Sequence, residues 1–241
     1  MDIKRIASIA LSLPFLVTTV ALANTDIFDD LPPNTSGRSG GSRGCSTQTV
    51  QSKERIPALI LLAPTQQGTK AVATNPSFSW FVRDPGSWQL EFRLYRYDPV
   101  SEETQLVKEI KDDSFTSLPG IMTLSLSESI PELPVGQRYL WQVELVCDPN
   151  HPSGNPFAEA EIEVVALSTE LKTELANTQN KFKQATLYKR LGFWYNAWDV
   201  VLNTEQTPMM NELKSSLLEK VALAEQEIVK VRTSAINKVQ R

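Results

Sequence analysis

The chain has 241 residues with 24 Lys and Arg against 28 Asp and Glu, a single histidine and a formal net charge of −4. A mildly acidic chain without clustered Lys and Arg is unsuited to neutralising phosphates, so nucleic acid is excluded as a natural partner. One histidine, two cysteines and no C-x-x-C leave a zinc site or a Cys-His nucleophile without its companions.

Residues 1–23 have the form of a secretory signal peptide: Lys4 and Arg5, an apolar stretch from Ile6 to Val20, and Ala21-Leu22-Ala23 as an A-x-A cleavage site. An N-terminal membrane anchor is the alternative. An apolar run of about 15 residues interrupted by Pro14 falls short of the roughly 20 needed to span a bilayer, so cleavage after Ala23 is expected, with no stable membrane insertion afterwards. A lipoprotein would carry its cysteine directly behind the apolar run, and Cys45 lies too far along. The expected destination is periplasmic or extracellular, with the thylakoid lumen left open.

Residues 24–44 contain Pro32-Pro33 and "SGRSGGSRG", with too little apolar surface to pack, and read as a disordered Ser/Gly/Pro-rich linker. Residues 45–167 then carry a β pattern. "PALILLAP", "SFSWFV", "SWQLEFRLYRYDP", "TQLVKEI", "GIMTLSL", "RYLWQVELV" and "AEIEVVAL" give seven short strands separated by Pro, Gly and Asp-Pro turn signals. That arrangement predicts an antiparallel β-sandwich of the immunoglobulin or fibronectin kind. Leu133, Gly136 and Tyr139 have the L-x-x-G-x-x-Y spacing of a tyrosine corner, in which the hydroxyl bonds back to the preceding backbone. A tyrosine that merely packs at a strand start fits the same residues.

Cys45 and Cys147 are the two cysteines of a chain expected to meet an oxidising compartment, where an isolated pair is more often a disulfide than a metal or catalytic site. Such a bridge closes a loop of about 100 residues, for which the chain-entropy relation gives roughly 4–5 kcal/mol. Two free thiols or an intermolecular bridge are the alternatives.

From 168 to 241 the apolar period becomes helical. Leu171 and Leu175, then Leu187, Leu191, Trp194, Trp198 and Val201 or Leu202, recur at three or four. Thr207-Pro208 has the form of an N-cap followed by proline at N1, and Met210, Leu213, Leu217, Val221 and Ile228 continue the pattern. Two to four helices and a charged C-terminal tail are expected. Tyr188, Gly192, Trp194, Ala197 and Pro208 lie near the spacings of half a tetratricopeptide repeat. One helical pair cannot bury its own apolar face, so an ordinary hairpin packed on the sandwich is the better reading, with a partner as the alternative.

The order of these features resembles a family of cyanobacterial exported proteins that carry a domain of unknown function. The resemblance rests on the signal peptide, the Gly/Arg leader ending in "RGC", "PALILLAP" and "NPSFSWFV", "LPGIMTLSL", "LPVGQRYLWQVELVCDP" and "LYKRLGFWYNAWDVVL", and spans Arg43 to about Leu223. This chain departs from it in "APTQQGTKAVATNP" and "WYNAW". The resemblance implies export and a shared architecture, and no activity.

Chemical motifs add little. His151 lies between prolines in a turn, without a nucleophile or an orienting group at hand in sequence. Asp148, Asn150 and Glu159 fall at positions one, three and twelve of a calcium-loop spacing, but Pro152 and Ser153 stand where a ligand and a glycine belong. Asp29-Asp30, Glu102-Glu103 and Asp112-Asp113 read as solvated loop charge. Phosphate-loop, dinucleotide, H-E-x-x-H and G-x-S-x-G motifs are missing, so no catalytic, cofactor or metal residue is assigned.

The favoured expectation is an exported non-catalytic module that binds a protein partner through Phe193, Trp194, Tyr195 and Trp198, four aromatics within six residues. A ligand- or glycan-binding module using Trp80 or Trp88 is the alternative, and a hydrolase with a site invisible in sequence comes third.

Overall fold

The computed structural model describes residues 45, 58–65, 69–98, 100–101, 103–126, 132–221 and 223–240. The expected signal peptide over 1–23 and the expected linker over 24–44 lie outside the described residues, which all belong to one compact unit, Pro32–Arg241.

All seven expected strands form: β1 (Leu59–Leu61), β3 (Ser77–Val82), β4 (Gln89–Asp98), β5 (Glu103–Ile110), β6 (Gly120–Ser125), β7 (Arg138–Val146) and β8 (Phe157–Val164). A two-residue β2 (Lys70–Ala71) and a late β9 (Ile236–Gln240) join them. The strands make a four-stranded sheet, β1-β3-β6-β9, and a five-stranded sheet, β2-β8-β7-β4-β5. Period-two alternation works as it should in β7, where Tyr139, Trp141, Val143 and Leu145 are buried and their neighbours are half-exposed. Phe78 packs on Phe92 and Trp141 of the opposite sheet, with ring centroids 5.2 and 5.1 Å apart, which makes the core between the sheets.

Two pairings correct the expected antiparallel immunoglobulin-like topology. β2 runs parallel to β8 and β9 runs parallel to β6, so both sheets are mixed. The final stretch, expected to thin into a charged C-terminal tail, instead carries β9. Gly120 makes the second pairing possible: its φ is +109°, and a Cβ there would lie 2.6 Å from the Ala235 carbonyl oxygen. That close approach lets the Ile121 N–H donate to the Ala235 oxygen over 2.8 Å and start the β6–β9 ladder.

Five helices follow β8: α1 (Thr169–Asn177), α2 (Lys181–Arg190), α3 (Trp194–Leu202), α4 (Pro208–Leu218) and α5 (Glu225–Thr233). Side-chain caps define three starts. Ser168, Asn180 and Thr207 accept the N–H of Leu171, Lys183 and Met210, with Pro208 at N1 of α4. The helices do not stand apart from the sheets. One hydrophobic cluster runs from Phe78 and Trp141 through Trp194, Trp198 and Leu217. Outside the inter-sheet core, Ser77 Oγ donates to Asp199 Oδ1 of α3 at 2.8 Å, and the Val72 N–H donates to Asn196 Oδ1 at 2.9 Å. α3 therefore sits against β2 of one sheet and β3 of the other.

Candidate functional site

The aromatic face of α3 is not a docking surface. Phe193, Trp194, Tyr195 and Trp198 are 8, 5, 2 and 1% exposed, which corrects the expectation that this cluster engages a partner. The reason lies in α3 itself, apolar on nearly every side and therefore suited to burial on every side. Trp141 Nε1 donates to Tyr195 Oη at 3.0 Å, and that hydroxyl donates to the Glu161 carbonyl at 3.2 Å. Trp194 stacks on Trp198 with centroids 5.1 Å apart and donates Nε1–H to the Leu217 carbonyl at 3.0 Å. Burial pushes the Tyr195 phenol well above its usual range, more strongly than the Trp141 bond lowers it.

Of the two tryptophans expected to serve ligand binding, the structure removes Trp80 and leaves Trp88 partly exposed. Trp80 is fully buried against Phe115, and Trp88 is half-buried with its indole N–H 3.4 Å from the Pro85 carbonyl. The tyrosine-corner reading needs a similar correction. Leu133 N–H donates to the Thr74 carbonyl at 2.8 Å, and Gly136, at φ +82°, donates to the Val164 carbonyl at 2.6 Å, so the turn is fastened by its backbone. The Tyr139 hydroxyl is buried without a hydrogen-bond partner among the described residues. Tyr139 packs, and among the described residues it makes no corner bond.

Cys45 and Cys147 form a disulfide with Cα atoms 4.8 Å apart. The turn beyond it is rigidly held. Asn155 Oδ1 accepts the N–H groups of Cys147 and Asp148 at 2.9 and 3.2 Å, while its Nδ2 donates to Glu144 Oε1 at 2.8 Å. His151 is 80% exposed and pairs with Asp148 at 2.7 Å, as a solvated loop residue. That bond, with the Asn150 N–H, holds the Asp148 carboxyl below its usual range. In the calcium-loop spacing, Asn150 gives its N–H to Asp148 and Glu159 accepts from Gln142, so the three residues do not converge on a cation. Among the described residues no group of His, Cys, Asp and Glu could hold a metal ion. Of the acidic pairs, Asp112 accepts the Ser114 N–H in a turn and Glu103 is exposed, while Asp29, Asp30 and Glu102 lie outside the described residues.

A charge cluster escaped the sequence reading because its members lie on three strands. On β4 the Arg93 guanidinium contacts Glu91, Glu109 of β5 at 3.1 Å and Glu144 of β7 at 3.3 Å. Lys111 reaches Glu91 at 2.7 Å. Every carboxylate here contacts a cation, so the cluster fastens strands to one another.

Among the described residues a concavity lies between α1 and α2. α1 buries a single residue, Leu175, whereas α2 buries Ala185 and Leu187. The turn through Thr178 and Asn180 splays the two helices over a groove of about 270 Å³. Phe182 and Leu187 form its apolar floor, Thr178 and Thr186 its sides, and Glu174, Lys183 and Arg190 its rim. Both threonine hydroxyls already donate to backbone carbonyls one turn back, of Glu174 and Phe182. Arg190 approaches Glu174 to only 3.7 Å, with both side chains more than half exposed, and Lys183 has no ion-pair partner among the described residues.

Fold and groove together define a two-sheet β domain braced by a helical layer, with a shallow apolar groove edged by cations on that layer. The family model for a domain of unknown function, DUF928, matches residues 38–231, and the chain belongs to that family. No curated protein matches it. Among solved structures, astrotactin-2, described as a conserved vertebrate-specific and perforin-like membrane protein involved in neuronal development, is similar at 14% identity over 73% of this chain. The chain spans 36% of that protein, and the TM-score of 0.26 carries no argument about fold or function.

Proposed function

We propose that this chain is a non-catalytic protein-interaction module of the cell envelope, exported by a signal peptide over residues 1–23 and acting in the periplasm or outside the cell of a cyanobacterium. The observation that supports the reading is the α1–α2 groove. Phe182 on its apolar floor is half-exposed, while the aromatic cluster of α3 is spent on internal packing. Its size favours a protein side chain over a small molecule, because pockets for drug-sized ligands hold about 300–1,000 Å³ and enclose what they bind. The glycan-binding alternative loses its main support with the burial of Trp80.

Phe182→Asp tests the proposal. The variant charges the groove floor at a half-exposed position that also packs against the core, so circular dichroism must first show the native fold. Wild-type protein should then recover a specific envelope protein that the folded variant does not. Identical recoveries from both would discard the groove as the docking site.

A further inference from the structure

The groove has a charge bias opposite to that of the whole chain. α2 reads "KFKQATLYKR", with four cations and no carboxylate, in a protein of net charge −4. Two of those cations are committed elsewhere: Lys181 Nζ to Gln184 and Lys189 Nζ to Ser216 Oγ of the neighbouring α4, at 3.2 and 2.7 Å. The remaining two, Lys183 and Arg190, are exposed and edge the groove. Seven residues apart, they stand on one face of α2 at a rise of about 10.5 Å. Between them lie Thr186 and the floor residue Leu187, with Phe182 beside Lys183.

On the basis of the interaction-module reading, we propose that the groove receives an acidic amphipathic helix of a protein partner. A helix laid along α2 repeats the same rise. Carboxylates at positions i and i+7 would meet Lys183 and Arg190, while apolar residues at i+3 and i+4 enter the floor as anchors, the helix-in-groove mode of recognition. Glu174 does not forbid this. Its contact with Arg190 is long and exposed, the kind of pair that contributes little and is readily exchanged for an incoming carboxylate. Charge would set orientation and on-rate, and the apolar anchors the residence time.

The test uses the full-length purified protein and two synthetic peptides of about four helical turns. One carries Glu at i and i+7 and Leu at i+3 and i+4; the other has Lys in place of both Glu. Fluorescence anisotropy should show the acidic peptide binding and the basic one not, with affinity falling as salt rises. The Lys183→Glu/Arg190→Glu variant, altered only at exposed side chains, should bind the acidic peptide about tenfold more weakly, since two exposed attractive pairs become repulsive. The same variant should gain affinity for the basic peptide. Equal binding of both peptides, or binding indifferent to the charge reversal, would overturn the proposal. So would sedimentation with phosphatidylglycerol vesicles, but not phosphatidylcholine ones, if neither peptide bound. A partner captured by wild-type protein and lost from Phe182→Asp but retained by the charge-reversed variant would leave the interaction module standing and defeat the acidic helix.

Discussion

Trp141 of β7 and Tyr195 of α3 are joined by a hydrogen bond of 3.0 Å across the boundary between sheet and helix, and both side chains are at most 2% exposed. The tyrosine hydroxyl in turn donates a hydrogen bond to the Glu161 carbonyl, so one phenol ties β7, β8 and α3 together. Tyr195→Phe should therefore destabilise the protein by about 1–3 kcal/mol, because it leaves a buried indole N–H and a carbonyl without their partner. Chemical denaturation monitored by tryptophan fluorescence would measure the loss. A midpoint within error of wild type would show that water can replace the phenol.

Tyr139 supplies the contrast. Its hydroxyl is buried with no partner among the described residues, and burial pushes its pKa upward. Tyr139→Phe should leave stability unchanged or raise it by up to about 1 kcal/mol, since a desolvated and unpaired group is removed while the ring packing stays. A loss of stability in denaturant titration would reveal a hydrogen bond after all.

These two tyrosines show where sequence reading succeeds and where it stops. The strand that carries Tyr139 was legible, because Tyr139, Trp141, Val143 and Leu145 alternate strictly with polar neighbours. What the hydroxyl bonds to depends on residues brought near by the fold, which a spacing motif cannot report. The α3 aromatics failed for a related reason. Helical period identifies an apolar side but not how many neighbours surround it, and α3 is enclosed by β2, β3, α2 and α4. β9 was missed because "INKVQ" has little strand character of its own and is held in place by its pairing with β6. The groove on the helical layer was half legible: the cations of α2 are plain in sequence, but which of them remain exposed follows from α4 drawing Lys189 aside. The disulfide was legible from count and expected compartment, without geometry.

Gly120→Ala tests the hold on β9. The new methyl would meet the Ala235 carbonyl oxygen at 2.6 Å, at a φ of +109° that side chains rarely adopt. Backbone strain alone is worth about 1–3 kcal/mol, and the clash with main chain adds to it. Hydrogen exchange should show faster exchange at Ile236–Gln240 than in β7. Unaltered protection there would mean that β9 docks independently of Gly120.

Glu161 gives a pH dependence with a defined sign. Burial raises its carboxyl above the ordinary 4.5 despite the opposing charge of Arg138, and Glu159 adds to the rise. A carboxyl with a native pKa above its unfolded value favours the folded state fully below the unfolded pKa. That advantage is lost as pH rises through the native value. Glu161→Gln should therefore be more stable than wild type at pH 7, with the difference vanishing as the pH falls below 4.5. Equal stability of the two proteins across that range would mean that the carboxylate is effectively solvated when charged.

The Cys45–Cys147 bridge joins residues 102 apart in sequence, bringing the stretch before β1 to the end of β7. Its removal should cost more than a short-loop bridge would, because a loop of that length frees a large denatured ensemble; the chain-entropy relation gives roughly 4–5 kcal/mol for the double Cys→Ala variant. The loss should appear in the whole described fold and not as local fraying, since Cys147 sits between β7 and the turn locked by Asn155. Peptide mapping without reductant should join the fragment containing "GCSTQTVQSK" to the one containing "YLWQVELVCDPNHP", and the folded, unreduced protein should resist maleimide. Two maleimide-reactive thiols in the folded, unreduced protein would remove both the bridge and the account of why a cysteine stands at the end of a Ser/Gly/Arg run. If instead the bridge were mapped but the double variant lost less than about 1 kcal/mol, the denatured chain would have to retain the same proximity without the covalent link.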